Sequence, residues 1–159
     1  MDNDLDMRTA EPADAPAIAE LVREAYAKWL PVAGRPPLPM TVDYAEALNA
    51  HRFDLLVTDR RLVALIETTP QEGDLRIVNV AVRPTDQGRG YGVRLLRHAE
   101  ALAADAGLAA TRLYTNRLFV ANVRLYVWLG YEIEREEVLN GGVAVHMRKT
   151  VARSQPNSE

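Results

Sequence analysis

The part of this sequence most able to do chemistry is a glycine-rich hexapeptide, Gln87-Gly88-Arg89-Gly90-Tyr91-Gly92. It follows an apolar run, residues 77–82, that is typical of a strand, and it opens a strongly helical segment. The start of a helix presents backbone N–H groups without intrahelical partners, together with the positive end of the helix dipole. Glycine lets the backbone bend tightly and allows a ligand to approach the main chain. The pattern therefore predicts a loop that binds a phosphorylated ligand.

Two common phosphate-binding loops do not fit this hexapeptide. A Walker loop ends in Gly-Lys-Ser or Gly-Lys-Thr, and no lysine lies near these glycines. The dinucleotide fingerprint has the spacing G-x-G-x-x-G in a first βαβ unit, with an acidic residue about 20 positions later. Here the spacing is G-x-G-x-G and the loop lies past the middle of the chain. Both classes are therefore disfavoured.

The hexapeptide resembles the Q/R-x-x-G-x-G/A motif of the GNAT superfamily of N-acetyltransferases. Gln87, Gly90 and Gly92 occupy its three defined positions, and residues 80–84 resemble the strand that precedes the acetyl-CoA loop. A second motif of the family, an Asn, a Tyr four residues later and then Leu-Gly-Tyr/Phe, is matched by residues 122–131. Two motifs in the correct order are far more specific than one. The resemblance extends from about Met7 to Lys149.

The resemblance implies acetyl-CoA as cofactor and assigns most of the site. Backbone N–H groups of the loop would bind the diphosphate, and main-chain groups of the preceding strand would pair with pantetheine. A main-chain N–H near Val80 would donate to the thioester oxygen. Tyr126 would be the general acid that protonates the leaving thiol, whereas Trp128 is interpreted as a core residue. The implied cofactor-binding residues are Val80, Ala81, Val82, Gln87, Gly88, Arg89, Gly90, Tyr91, Gly92, Asn122 and Tyr126.

The general base stays unassigned. An alkyl amine with a pKa near 10.4 is almost wholly protonated at pH 7, so a proton must be removed before it can attack. Many family members place a Glu or His on the fourth strand, but Arg76 and Val78 occupy the corresponding positions here. The substitutes are Glu67, Asp74 and His146, each of which also fits a surface or sheet role. A base acting through ordered water is equally compatible.

The acceptor is a primary amine that the sequence does not identify. Four residues flank a proline-rich segment and are candidates for the wall of an apolar acceptor pocket, although packing of helix on sheet explains them as well: Tyr26, Trp29, Met40 and Tyr44. Asn116 and Arg117 are polar candidates after the fifth strand. We expect a small-molecule amine. A protein N-terminus or lysine, charged transfer RNA, and a non-catalytic acyl-CoA-binding protein are the alternatives.

Composition limits the partners. The chain has 159 residues, a net charge of −3, 17 arginines, two lysines and no cysteine. The net negative charge argues against a nucleic-acid partner. The absence of cysteine excludes disulfide bonds and metal sites with thiolate ligands. We expect no metal and no membrane segment, and therefore a cytoplasmic protein; a homodimer is an open alternative. Arg83, Arg89, Arg94 and Arg97 cluster around the loop, where they would suit the phosphates of coenzyme A.

Periodicity predicts an α/β protein with the order β-α-α-β-β-β-α-β-α-β-β. The resemblance adds a mixed sheet that is splayed between the fourth and fifth strands. We expect one N-acetyltransferase domain over residues 1–152 and a disordered tail over 153–159. The predicted strands cover 5–10, 53–58, 62–68, 75–82, 111–115, 131–139 and 143–149. The predicted helices cover 14–29, 41–50 with Thr41 as N-cap, the segment from the loop to Gly107, and 119–129. Residues 31–39 are predicted to be loop, and residues 140–142 a hairpin turn.

Overall fold

The computed structural model describes residues 5–34, 36, 38–59, 61–139 and 142–152. Short 3₁₀ turns accompany twelve elements in this part of the chain. The elements are β1 (Asp6–Thr9), α1 (Ala15–Tyr26), α2 (Leu30–Ala33), α3 (Tyr44–Ala50), β2 (Arg52–Thr58), β3 (Arg61–Gln71), β4 (Asp74–Val82), α4 (Tyr91–Asp105), β5 (Ala110–Asn116), α5 (Val120–Trp128), β6 (Glu132–Leu139) and β7 (Gly142–Thr150). The predicted order is confirmed, with the short helix α2 added. None of the described helices is both long and apolar enough to cross a bilayer.

The seven strands form one mixed sheet in the order β1-β2-β3-β4-β5-β7-β6. Neighbouring strands β1 and β2, β2 and β3, β5 and β7, and β6 and β7 run antiparallel. Strands β4 and β5 are parallel, because α4 connects them as a crossover. The predicted mixed α/β fold is confirmed.

The described residues group into two compact units. The first contains residues up to Thr69 together with Asn79–Leu96, and the second contains Pro70–Val78 and residues from Arg97 onward. In the first, one face of α1 packs in an apolar core with residues of β2, β3 and β4. This core contains Ile18, Leu21, Val22, Ala25, Tyr44, Phe53, Leu55, Leu62, Leu65 and Ala81. In the second, Leu113 of β5 lies directly opposite Met147 of β7, and both side chains are buried.

Strands β4 and β5 pair over only two positions, Leu75 with Thr111 and Arg76 with Arg112. Both strands continue, within the second unit, to Val78 and to Asn116, but among the described residues no further ladder pair forms. The predicted divergence of the fourth and fifth strands is confirmed. The unpaired stretches leave main-chain groups for another partner, since a buried backbone N–H or C=O group requires one.

Several predicted boundaries were wrong for local reasons. Residues 31–39 are not all loop, because Pro31 lies in the first turn of α2, where its missing N–H costs nothing. Helix α3 begins at Tyr44 and not near Thr41, since the Asp43 carboxylate accepts hydrogen bonds from the N–H groups of Ala45 and Glu46. Strand β3 runs on to Gln71, because residues 72 and 73 both have positive φ and form a two-residue hairpin turn.

Trp128 is not a core residue: 75% of its surface is exposed. Helix α5 carries apolar residues around most of its circumference, so its sequence does not indicate which face is buried. Val120 and Val127 are also about half exposed. The predicted hairpin turn falls on Asn140 and Gly141, outside the described residues, as does the predicted tail over 153–159.

Candidate functional site

The glycine loop joins the end of β4 to the start of α4. A 3₁₀ turn, Pro84–Asp86, follows the strand, and the backbone then bends through Gly88 and Gly90, whose φ angles are +82° and +81°. L-residues rarely adopt this left-handed conformation. Among the described residues, no heavy atom outside the glycine and its two chain neighbours lies within 4 Å of the position that a Cβ would take at either glycine. The space beside the loop backbone is therefore open to a ligand.

The N-terminus of α4 supplies the hydrogen-bond donors. Arg94 N–H donates to the Gly90 carbonyl at 3.0 Å, which closes the first helical turn. The N–H groups of Tyr91, Gly92 and Val93 precede this bond and have no intrahelical acceptor. They lie at the positive end of a 15-residue helix. The loop and the helix start together fit a diphosphate.

The loop is braced by two residues that the sequence reasoning missed. The Asp86 carboxylate is buried, and its Oδ2 lies 3.0 Å from Arg61 Nη1. Arg61 Nη2 also donates to Thr85 Oγ1 at 2.8 Å. On the other side, Gln87 Nε2 donates to the Val82 carbonyl at 3.3 Å. The only sequence signal for this brace was the turn-forming run Pro84-Thr85-Asp86.

Arg83 does not belong to the predicted phosphate-side cluster. Its guanidinium bonds to the Leu62 carbonyl at 3.0 Å and to Glu24 of α1 at 2.5 Å, and only 11% of the side chain is exposed. A carboxylate from a distant helix therefore fixes this arginine in place. Arg89, Arg94 and Arg97 are exposed.

The strand before the loop alternates its side chains as a strand should. Ala81 faces the buried core of the first unit, whereas Val80 and Val82 are half-buried on the opposite face. Gly92 lies 3.8 Å from a methyl of Val82, measured from the position of a Cβ, which is an ordinary contact. An alanine would fit at Gly92, so the third glycine of the motif is not required by packing within the protein.

Tyr126 lies on α5, one turn after Asn122, and both side chains are half-buried. Burial raises the pKa of the Tyr126 phenol to about 12. Its ring is 5.8 Å from the ring of Tyr131, whose hydroxyl shares a 2.8 Å hydrogen bond with Thr111 Oγ1. The Tyr126 phenol is therefore protonated at neutral pH and is available as a donor.

The first unit brings two of the predicted acceptor residues together around Asn79, which the sequence reasoning missed. Tyr26 Oη donates to Asn79 Oδ1 at 2.7 Å, and Asn79 Nδ2 lies 3.4 Å from Tyr44 Oη. Tyr44 Oη donates in turn to the Pro39 carbonyl at 2.7 Å. Burial is the main cause that raises the pKa of Tyr44 well above its ordinary value, with the charge of Glu67 second. Trp29 is half-buried, with Lys28 Nζ 5.1 Å from its ring centre.

The three substitutes for the general base have different surroundings. Asp74, the first residue of β4, is buried between the guanidinium groups of Arg112 and Arg148 at 2.8 and 2.9 Å. Hydrogen bonding to Arg148 is the main cause that lowers the pKa of Asp74, and the bond to Arg112 adds to it. Asp74 therefore stays ionised and is a poor proton acceptor near neutral pH.

The other two substitutes each form a His–Glu pair. Glu67 of β3 is buried, with its Oε2 2.6 Å from His51 Nδ1. His146 of β7 lies with Nε2 2.9 Å from Glu137 Oε1 of β6. The two usual base positions on β4, Arg76 and Val78, are half-buried.

The polar residues after β5 take part in local structure. Asn116 Oδ1 accepts a hydrogen bond from Leu118 N–H at 2.9 Å, which forms a turn before α5. Arg117 donates to Glu136 of β6 at 2.9 Å. Their roles toward an acceptor stay predictions.

A mixed sheet with diverging central strands, and a glycine loop that presents a helix N-terminus, define the class of acyl-CoA-dependent N-acyltransferases. A model of the family described as "Acetyltransferase (GNAT) family" matches residues 16–131. The chain belongs to this family, whose members use acetyl-CoA, and the predicted resemblance is confirmed. It is a GNAT-type N-acetyltransferase.

Solved structures with the same fold share little sequence with this chain. The ribosomal-protein-S18-alanine N-acetyltransferase from Escherichia coli is 21% identical, with a TM-score of 0.77 over 98% of this chain and 99% of that one. The PaiA N-acetyltransferase from Thermoplasma acidophilum, solved in complex with coenzyme A, is 18% identical, with a TM-score of 0.70 over 92% and 98%. Ard1 from Thermoplasma volcanium is 17% identical, with a TM-score of 0.73 over 94% and 99%. No curated protein matches the chain in sequence.

Proposed function

We propose that this protein transfers an acetyl group from acetyl-CoA to the primary amine of a small molecule, by direct attack of the amine on the thioester. The observation that carries the proposal is the glycine loop. Two of its glycines adopt positive φ, leave their Cβ positions empty and lead into a helix N-terminus. This arrangement combines open space with unpaired N–H donors, as a diphosphate requires.

In this proposal, acetyl-CoA supplies an acyl group already activated as a thioester. The N–H groups from Gly88 to Gly92 bind the diphosphate, and the Gln87 side chain holds the loop against Val82. Main-chain groups of residues 80–82 pair with pantetheine, and Val80 N–H donates to the thioester oxygen. Such a donor stabilises the negative charge that develops on this oxygen during attack.

We assign Tyr126 as the donor to the leaving sulfur, with Asn122 beside it on the same face of α5. The support is the protonation state of the phenol: with a pKa of about 12, it retains its proton throughout the neutral range. A thiol titrates near 8.5, so its thiolate leaves well and still gains from a donated hydrogen bond.

A small-molecule acceptor is supported by the structure of the segment after α1. Residues 30–33 and 38–41 form helical turns, and the hydroxyl of Tyr44 holds Pro39 by its carbonyl. Tyr26 and Tyr44 meet at Asn79, the residue directly before Val80 on β4. We propose that this polar group, with Trp29, contacts the acceptor. The cytoplasmic location and the lack of a nucleic-acid partner stay predictions from composition.

Calorimetry with coenzyme A tests the loop. We expect Gly90→Glu to abolish binding, because the side chain enters the diphosphate space and carries the same sign of charge. Gly107→Glu is a matched control at the other end of α4. Gly107 also has positive φ, +74°, and its Cβ position likewise meets no heavy atom of the described residues within 4 Å, apart from its immediate surroundings in the chain. Both variants carry similar backbone strain, so only Gly90→Glu should lose the heat of binding. Retained affinity in Gly90→Glu would contradict the loop assignment.

The acceptor class is tested by release of free coenzyme A in an amine panel that includes amino acids, polyamines and peptides. A protein N-terminus is the second candidate. It is favoured by the likeness to the S18-alanine N-acetyltransferase, which extends over 98% of this chain. Turnover with peptides and none with small amines would establish the second candidate and overturn the first.

A further inference from the structure

By the resemblance in sequence, Arg76 occupies one of the two positions on the fourth strand where many family members have a Glu or His, and it is placed differently from several arginines of the same unit. Its guanidinium lies 5.5 Å above the ring of Tyr114. Among the residues that the structure describes, it forms no ion pair and no hydrogen bond through its side chain. It is half-buried on β4. An arginine in this state keeps unused N–H donors.

Three other arginines of the same unit, each held by a carboxylate, illustrate the contrast. Arg112, directly beside Arg76 in the β4–β5 ladder, and Arg148 are both held by Asp74. Arg117 is paired with Glu136. These three guanidinium groups are therefore paired with carboxylates of the protein, whereas the guanidinium of Arg76 contacts the aromatic ring of Tyr114.

Tyr114 and its neighbours form a support for Arg76 across three further strands. Tyr114 of β5 lies directly opposite His146 of β7, and their rings are 5.2 Å apart. His146 is fixed in turn by Glu137 of β6 at 2.9 Å. Tyr114 is 39% exposed, so this row of side chains is open to a ligand. A cation–π contact uses the charge of a guanidinium and none of its N–H donors in a hydrogen bond, so these donors stay available for bidentate hydrogen bonds.

We propose that Arg76 binds a carboxylate of the acceptor, so that the substrate is an amine that also carries a carboxylate, such as an α-amino acid. The inference rests on the proposed function, because it concerns the acceptor of that same reaction. A free guanidinium attracts a carboxylate and matches it with two parallel N–H donors. It repels a simple alkylammonium ion or a polyamine. The arginine at this position thereby selects the acceptor by charge.

The first test compares matched acceptors. Acetyl transfer is measured with the amino acids found in proteins, each beside its carboxamide, for the wild type, Arg76→Gln and the control Arg8→Gln, which removes an exposed arginine of β1 paired with Asp14. We expect the wild type to prefer acids over amides, and Arg76→Gln to raise KM for the acid at least tenfold with little change for the amide. Arg76→Lys keeps the positive charge but loses the planar guanidinium group. Its KM for the acid should therefore lie between those of the wild type and Arg76→Gln. Arg8→Gln should behave as the wild type. Equal KM values for acid and amide in the wild type, or a preference retained in Arg76→Gln, would overturn the inference.

The second test needs no turnover and separates this inference from the proposed function. Binding of the same acids and amides to the protein with coenzyme A is followed by calorimetry, after thermal melting has shown that each variant is folded. Acids that bind the wild type and fail to bind Arg76→Gln support the inference even if no acceptor is acetylated. Equal turnover with amides and with acids would support the proposed acetyltransferase activity but would refute the carboxylate site. No acid binding at millimolar concentration also refutes it.

Discussion

Replacing Tyr126 by phenylalanine removes one hydroxyl and should slow acetyl transfer without loosening coenzyme A. We expect turnover to fall at least tenfold, while the affinity for coenzyme A stays nearly unchanged. The ring that packs 5.8 Å from Tyr131 is retained, so the local structure of α5 should persist.

The magnitude follows from two pKa values. The Tyr126 phenol has a pKa of about 12, and a thiol has one of about 8.5. Full proton transfer from phenol to thiolate would therefore be uphill by about 5 kcal/mol, at about 1.4 kcal/mol per pKa unit. A hydrogen bond donated to the developing thiolate costs no such transfer and contributes about 1.5–3 kcal/mol. This range corresponds to a rate effect of about 10- to 150-fold.

The raised pKa also fixes the sign of the pH dependence. Burial favours the neutral phenol, so its contribution to stability is fully present below the ordinary tyrosine pKa of about 10. It is lost as the pH rises toward the folded pKa of about 12. Denaturant titrations at pH 8 and pH 11 should show a smaller loss of unfolding free energy in Tyr126→Phe than in the wild type. An equal loss in both would mean that the phenol is not buried as described.

The assay is release of free coenzyme A, with affinity measured separately by calorimetry. Tyr131→Phe is the matched control, because it removes a phenol hydroxyl from the neighbouring ring and deprives Thr111 of its partner. This control should lose about 1 kcal/mol of stability and keep its turnover within about twofold of the wild type, a change worth under 1 kcal/mol. A rate in Tyr126→Phe equal to that of the wild type would remove Tyr126 from the mechanism.

Two further predictions concern stability. Asp74→Asn should lower the unfolding free energy by about 3 kcal/mol, since two arginines lose a buried carboxylate while staying about 30% exposed themselves. Because the pKa of Asp74 is lowered, its contribution to stability is present above about pH 4 and is lost on acidification. Urea titrations from pH 7 to pH 3 should therefore show that the unfolding free energy depends less on pH in Asp74→Asn than in the wild type. The same pH dependence in both proteins would refute the assignment. Asp43→Ala should cost about 1 kcal/mol in a thermal melt by removing the cap of α3. An unchanged melting temperature would refute the cap.

Features that depend only on residues close together in the chain were predictable before the fold was known. The loop was predictable because glycine spacing, a preceding apolar strand and a following helix all lie within about 30 residues. The order of strands and helices followed from periodicity, which each segment carries alone. Gly88 and Gly90 adopt the positive φ angles that their residue type permits. Each of these features can be judged without knowing what packs against it.

The pairing of polar side chains, in contrast, depends on contacts between distant parts of the folded chain. Asp74 meets Arg148 across 74 residues of sequence, and Arg83 meets Glu24 across 59, so no local pattern could reveal either pair. Asn79 likewise joins Tyr26 of α1 and Tyr44 of α3 through hydrogen bonds with their hydroxyl groups. Within the described part of the chain Arg76 forms no ion pair, and the carboxylate of Asp74, two residues before it on β4, is paired with Arg112 and Arg148. Which charged side chains stay unpaired, and could therefore bind a substrate, depends on these long-range pairs. The pairs form only when the chain folds, so the sequence alone does not reveal the unpaired side chains.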